Sequence, residues 1–186
     1  MKRCPWGSDP LMIEYHDVEW GTPVHDDHKL FEFLILDCFQ AGLSWSTILH
    51  KRAAFRKAFD DFDIRTVASY NDDKVQNLLQ DTGIVRNRLK IMAAITNANC
   101  VLNVQQNNGS LGSFLWNFVG GSPIINRWEC FKDIPTETEE SRKMSRALRE
   151  EGFKFVGPTI CYAFMQAVGM VNDHLVECDR HAELSK

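Results

Sequence analysis

The stretch from Leu30 to Phe39 most constrains this chain, because only Glu32 and Asp37 interrupt its apolar run. A helix that is apolar nearly all round is a buried helix. Asp37 therefore sits in or beside the core, where an ionised carboxylate is costly unless it is paired or hydrogen-bonded. Gly42 breaks the helix just after Gln40 and Ala41, and Trp45 opens the next one. Two readings fit this arrangement. In one, Asp37 is capped by local backbone at a helical corner. In the other, carboxylate, turn and aromatic line a pocket for a flat, polar or cationic ring.

The flanking sequence reads as helical throughout. Asp26 or Asp27 caps the buried helix, which runs to about Gln40. A second helix over 44–59 turns Ile48, Leu49, Ala53, Phe55 and Phe59 inward, leaving Lys51, Arg52, Arg56 and Lys57 as a solvated face. Asp63 and Asn71 cap two short helices, the latter over 72–80. Two helices joined by a short turn containing glycine then fit 78–98. Gly83 sets backbone N–H groups at a helix N-terminus, with Arg86, Arg88 and Lys90 around it. That turn reads either as an anion site or as an ordinary helical hairpin with a basic surface.

Ser110 caps a short helix ending near Phe118, and 119–137 reads as a loop. Thr136 and Glu139 form a capping box for a helix over 138–151. Pro158 leads the last strong helix, Thr159 to Met170, with Ile160, Phe164, Ala167 and Val168 buried. No strand alternation, repeat or low-complexity tract stands out. The expected fold class is all-α, a single domain over 1–186 with a polar tail at 179–186.

The formal net charge of −4 argues against binding nucleic acid over a wide surface and leaves room for a local basic face. No apolar run approaches the ~20 residues that span a bilayer. The N-terminus, Met-Lys-Arg-Cys-Pro-Trp, lacks an apolar signal core, so a cytoplasmic location without membrane contact is expected. The six cysteines follow no disulfide framework for a chain this long, so metal binding or plain burial is favoured.

Residues 1–26 are irregular and rich in aromatics and turn formers, with at most one helical turn from Pro10 to His16. Such a segment needs an anchor. His174-x-x-x-Cys178 places an imidazole and a thiolate one helical turn apart, a spacing that suits two ligands of a tetrahedral zinc. Cys4 and His16 could complete the set. Four protein ligands would make such a zinc structural. The alternative is a buried cysteine with surface histidines.

Together the motifs resemble one family, the DNA-3-methyladenine glycosylase I family. The resemblance is carried by Cys4-Pro-Trp6, Tyr15-His16-Asp17, Glu19-Trp20-Gly21, Phe31-Glu32 and Gln40-Ala41-Gly42-Leu43-Ser44-Trp45. It continues through Gly83-Ile84, Phe114-Leu115-Trp116, Gly152-Phe153-Lys154-Phe155-Val156-Gly157 and Val171-Asn172-Asp173-His174, so it spans 1–178 in order.

The resemblance implies the helix–hairpin–helix glycosylase fold, its N-terminal segment clipped to the C-terminus by zinc on Cys4, His16, His174 and Cys178. It implies an enzyme that flips 3-methyladenine out of alkylated double-stranded DNA and releases the free base, acting as a monomer. It places Thr82, Gly83, Ile84, Arg86 and Lys90 on a backbone phosphate. At the Gly42 turn, Leu43 either wedges into the gap left by the flipped base or packs in the core. In the pocket, Trp45 would stack on the base beside Trp6 and Trp20. Asp37 would accept a hydrogen bond from the base edge, and Tyr15 would add a second polar contact.

Two departures stand out. Asp37 occupies the position of the family's base-binding glutamate, and Met12 that of a common pocket tyrosine. Cys38 and Phe39 also replace small or polar residues. These changes keep open a divergent member that binds damaged DNA with weak or no glycosylase activity. A zinc-stabilised helical interaction module is the other alternative.

Overall fold

The computed structural model describes residues 1–7 and 9–185. Asp9 starts the first element: its side chain accepts from the Leu11 and Met12 amides and caps α1 (Pro10–Glu14), with proline at the first turn. The chain continues without a break into a π-helical turn, Tyr15–Glu19, closed by Trp20 N–H donating to Tyr15 O at 2.9 Å. The short helical turn expected to end at His16 thus runs on. Such π turns are rare and frequently occur at functional sites.

The central element is α2 (Asp27–Gln40). Asp26 caps it, accepting from Lys29 N at 2.9 Å, and every residue from Leu30 to Phe39 is buried. Against it packs α3 (Trp45–Ala58), capped by Ser44, while, beyond a short turn, α4 (Ile64–Ala68) and α5 (Asp72–Gln80) pack on the long α6 (Arg88–Asn108). Helices α7 (Leu111–Trp116), α8 (Glu139–Glu150), α9 (Pro158–Ala167) and the short α10 (Asp179–Glu183) follow. Helices α3, α6, α7 and α9 all touch α2 directly. Phenylalanines fill the junction with α3, with Phe39 edge-on to Phe55 at 4.8 Å between ring centres.

The two acidic interruptions of α2 meet different fates. Glu32 accepts from Arg52 Nε at 2.9 Å and from Arg56 at 2.8 Å, and Arg52 reaches on to Glu19 of the π turn at 2.7 Å. Burial pushes the Glu32 carboxyl up, but the two guanidinium groups outweigh it, and its pKa falls below the usual carboxylate value. Arg52 was expected on a solvated face. It is 7 % exposed, because a buried carboxylate needs a cation more than a surface needs a charge. Asp37 has no such partner.

Several local expectations need correction. The α8 capping box is made by Thr138 with Ser141, not by Thr136 with Glu139. A two-residue parallel pairing, β1 (Ile124–Ile125) with β2 (Val171–Asn172), ties the 119–137 loop to the chain after α9. The polar tail carries α10, whose His181 is buried and bonded through Nε2 to Asn126 O at 2.7 Å.

Gly83 does not begin a helix. Asn87 caps α6 four residues later, and the Gly83 N–H is taken by Asp81 Oδ1 at 2.7 Å. A side chain at Gly83 would meet Ala54 Cβ at 2.9 Å, so this glycine permits close contact with α3.

Lys90 is also redirected. Expected among phosphate-facing cations, it is 7 % exposed and donates to Phe39 O at 2.8 Å and Ala41 O at 2.6 Å. The last carbonyls of α2 have no partners within their own helix, and the ammonium satisfies them. Burial lowers the Lys90 pKa. Among the described residues no helix is long and apolar enough to cross a membrane.

Lys90→Met strips the donor from the Phe39 and Ala41 carbonyls. It should lower unfolding stability by about 1–3 kcal/mol in a urea titration. A loss under about 0.5 kcal/mol would show that water replaces the ammonium at no cost.

Candidate active site and metal centre

A cavity of about 440 Å³ opens where α1, the end of α2, the start of α3 and α9 converge. One wall carries Trp6, Met12, Tyr15 and Trp20, and the floor is Asp37 with Gln40 and Trp45. The rings form a continuous surface: Trp6 meets Trp20 edge-on at 5.0 Å, and Tyr15 lies 5.2 Å from Trp45. Every residue expected to contact a ring in this pocket is brought into it.

The opposite wall was not anticipated. Phe131, Ile134, Pro135 and Thr136 come from the 119–137 loop, and Thr159, Tyr162 and Gln166 from α9. Loop residues carry no periodicity that marks such a role. The α9 pair did carry a signal, since Tyr162 and Gln166 place polar groups four apart on an otherwise apolar helix. Both donate to Asp173 Oδ2, at 2.6 and 2.8 Å, while Asn126 and Trp128 donate to Oδ1 at 2.7 Å each. This buried carboxylate locks the loop, α9 and β2 into one wall.

Asp37 is the carboxylate among the described lining residues. It is 2 % exposed, and its Oδ2 has no hydrogen-bond partner. The backbone-capping reading is therefore not what the structure shows. Burial alone drives its pKa well above the ordinary 3.8. Burial, and next to it Asp37, also raises the Tyr15 hydroxyl. Trp45 Nε1 is a second buried polar atom without a partner. An orphan acceptor and an orphan donor in one aromatic cavity leave unmet hydrogen-bonding capacity, each costing about 1–3 kcal/mol. A flat ligand with its own polar edge can satisfy the Asp37 carboxyl.

Between the lining residues Gln40 and Trp45 in sequence, Leu43 is 42 % exposed at the turn where Gly42 adopts φ +79°. A side chain that large left to solvent fits the wedge reading better than the core-packing one. Of the hairpin candidates, Thr82 and Arg86 are exposed, whereas Ile84 is buried in the core and fixes the turn from inside.

Directly behind the aromatic wall, Cys4, His16, His174 and Cys178 bring their ligand atoms within 4.8 Å of one another, all buried. Cys178 Sγ lies 3.5 Å from His16 Nε2 and 3.5 Å from His174 Nδ1, and Cys4 Sγ lies 3.7 Å from His174 Nδ1. Metal–ligand bonds of about 2.3 Å to sulfur and about 2.0 Å to nitrogen put S and N about 3.5 Å apart in a tetrahedron. The outer nitrogens are held as well: His16 Nδ1 by Asp17 at 2.8 Å and His174 Nε2 by the Trp20 carbonyl at 3.0 Å. These contacts aim the remaining lone pairs inward. The group could hold a metal ion, and its donor set fits one.

The Asp37 shift has a signed consequence. The unfolded chain loses this proton near pH 4, whereas the native one keeps it to higher pH, so stability falls as pH rises above about 4. Ligand-free Asp37→Asn should therefore melt above the parent at pH 7, with the gap closing toward pH 4. A lower melting temperature at pH 7 would mean that Asp37 is ionised and paired.

Comparison with known proteins agrees with this geometry. Residues 6–181 match the methyladenine glycosylase family. The chain is 50 % identical to DNA-3-methyladenine glycosylase 1 of Escherichia coli strain K12, over 96 % of each sequence. A crystal structure of 3-methyladenine DNA glycosylase I superposes with a TM-score of 0.94 at 50 % identity, covering 96 % of this chain and 98 % of that one. A single-residue variant of 3-methyladenine DNA glycosylase I in complex with 3-methyladenine gives 0.93 at 36 % identity, covering 96 % and 97 %. The chain belongs to the methyladenine glycosylase family.

Proposed function

We propose that this protein is a DNA glycosylase that excises N3-methyladenine from alkylated double-stranded DNA. The observation that carries this is the unpartnered Asp37 carboxylate in an aromatic cavity. Methylation at N3 makes the adenine of the nucleotide cationic. A cationic, flat purine is the partner that a buried carboxylate and a stacked indole both lack. Trp45 stacks on the ring with a cation–π contribution of ~0.5–2 kcal/mol. Asp37 accepts from the base edge, and Tyr15 adds a polar contact beside it.

The chemistry asks little more of the protein. The methylated base is already a good leaving group, and a damaged base is cheap to unstack. As the glycosidic bond breaks, its electron pair stays with the purine, which departs neutral, and water adds to the sugar carbon and gives up a proton to solvent. Catalysis rests on binding and orientation in a dry pocket. Leu43 fills the gap left by the flipped base. Thr82 and Arg86, exposed on the Asp81–Asn87 turn, hold a phosphate in the manner of a helix–hairpin–helix. These few contacts suit a chain of net charge −4.

Zinc is the metal that Cys4, His16, His174 and Cys178 suit. Bound there it would tie residues 4 and 16 to 174 and 178 and hold Trp6, Tyr15 and Trp20 in place. Dialysis against a strong chelator should release one zinc per chain and lower the melting temperature by about 10 °C or more. Metal analysis finding no zinc in freshly purified protein would remove this assignment.

The function is tested by incubating the protein with methylated duplex DNA and identifying released bases by chromatography. Release of 3-methyladenine by the parent and at least a tenfold slower release by Asp37→Ala are expected. Equal release by both would remove Asp37 from its role. No release above the spontaneous background, with a duplex shift retained in a gel, would mark a protein that binds damage without cleaving it.

A further inference from the structure

The segment between α8 and α9 holds an exposed tip that the pocket does not use. Phe153 and Val156 are each 2 % exposed and anchor it in the core, while Lys154 and Phe155 between them face solvent. Phe155 is 37 % exposed and sits at φ +56°, a conformation unfavourable for a side chain with a Cβ. The backbone has little freedom to relax. Asn97 donates to Lys154 O at 3.1 Å and accepts from Lys154 N at 2.7 Å. Cys38 Sγ reaches Phe155 O at 3.5 Å, and Ser145 donates to Val156 O at 2.6 Å. Buried groups from α2, α6 and α8 thus hold an aromatic ring out into water in a strained backbone. Strain that the surroundings over-determine is a mark of a functional position.

The tip is tied to elements that also carry the pocket. Cys38, which grips it, adjoins Asp37 in sequence, and Thr159, two residues beyond Gly157, lines the cavity. Lys90, which holds the carbonyl before the Gly42–Leu43 turn, and Asn97, which holds the tip, lie seven residues apart on α6, about 10 Å along its axis. That is about three base steps of duplex. The charge beside the tip fits a polyanion: an Arg149 guanidinium nitrogen lies 3.7 Å from where a Cβ at Gly157 would sit, and among the described residues no carboxylate comes within 4.0 Å of Arg149 or Lys154, nor of Arg86 or Arg88 by the hairpin. Arg52, Arg56, Arg142 and Arg180 are all paired with carboxylates of the protein itself.

We propose that the Lys154–Phe155 tip is a second DNA contact, in which the Phe155 ring packs against a sugar and base edge of the duplex beside the lesion while Lys154 faces a phosphate. This deepens the glycosylase reading and rests on it. The ring adds an apolar contact on the far side of the Leu43 wedge, and the pinned backbone lets it act without paying loop entropy on binding.

The test measures affinity for a duplex carrying an abasic-site analogue, by fluorescence anisotropy at several salt concentrations, alongside Trp quenching by free 3-methyladenine. Phe155→Gly, which tolerates the positive φ, should weaken duplex binding about tenfold or more with an unchanged salt slope. Lys154→Ala should reduce the salt slope by about one phosphate. Phe155→Tyr should bind like the parent, and all three should bind free 3-methyladenine like the parent. Unchanged duplex affinity in Phe155→Gly overturns the proposal. So does a parallel loss of free-base affinity, which would make the tip merely structural. Failure of the parent to release 3-methyladenine while Phe155→Gly still loses duplex affinity would overturn the enzymatic reading and leave the contact standing.

Discussion

Everything in this structure depends on how one fully buried helix accommodates two carboxylates. Ten consecutive buried residues in α2 make it the shaft on which α3, α6, α7 and α9 are mounted. Glu32 recruits Arg52 and Arg56 from α3 and, through Arg52, Glu19 from the π turn, so its burial welds three segments together. Asp37, five residues on, recruits nothing from the protein. The same physical penalty therefore has two outcomes along one helix: a structural ion-pair network at one end and a binding demand at the other. Paired buried charge holds the scaffold, and an unpartnered buried carboxyl is left for a ligand to satisfy.

The aromatic wall and the Cys/His group form a second unit built on a single sequence step. Tyr15 and His16 are neighbours in a π-helical turn. One lines the cavity and the other enters the candidate metal centre, with Trp6 edge-on to both His16 and Trp20 beside them. His174 contacts His16 and Trp20 at 4.7 and 4.6 Å. Such widened helical turns frequently mark functional sites, and this one serves two. An irregular N-terminal segment, which could not hold a pocket wall unaided, gains rigidity from the chain's other end.

Helix α6 plays a quieter part as a ruler. Its N-terminus carries the hairpin, Lys90 closes the end of α2 behind the Leu43 turn, and Asn97 fixes the tip at Phe155. A regular 1.5 Å rise sets the spacing between these points. DNA is also a periodic object, and a rigid rod with fixed attachments is a natural counterpart to it.

The sequence by itself determined most of the helices, most of their caps and the side chains of one pocket wall. Asp26, Ser44, Asp63 and Asn71 sit at their helix starts as local rules demand, since a cap needs only a side chain and the next few amides. The apolar run around Asp37 announced a buried carboxylate, and short motifs carried the family resemblance. Only the tertiary structure decided who partners whom. Arg52 and Lys90 read as surface cations because local pattern cannot say that a buried Glu32 or the carbonyls of Phe39 and Ala41 lie within reach. Phe131 to Thr136 join the pocket wall through Asp173, a contact between loops remote in sequence. Local preferences are set by covalent neighbours and are legible in the chain. Pairing of buried charges and closure of a cavity depend on distances that exist only once the helices have packed.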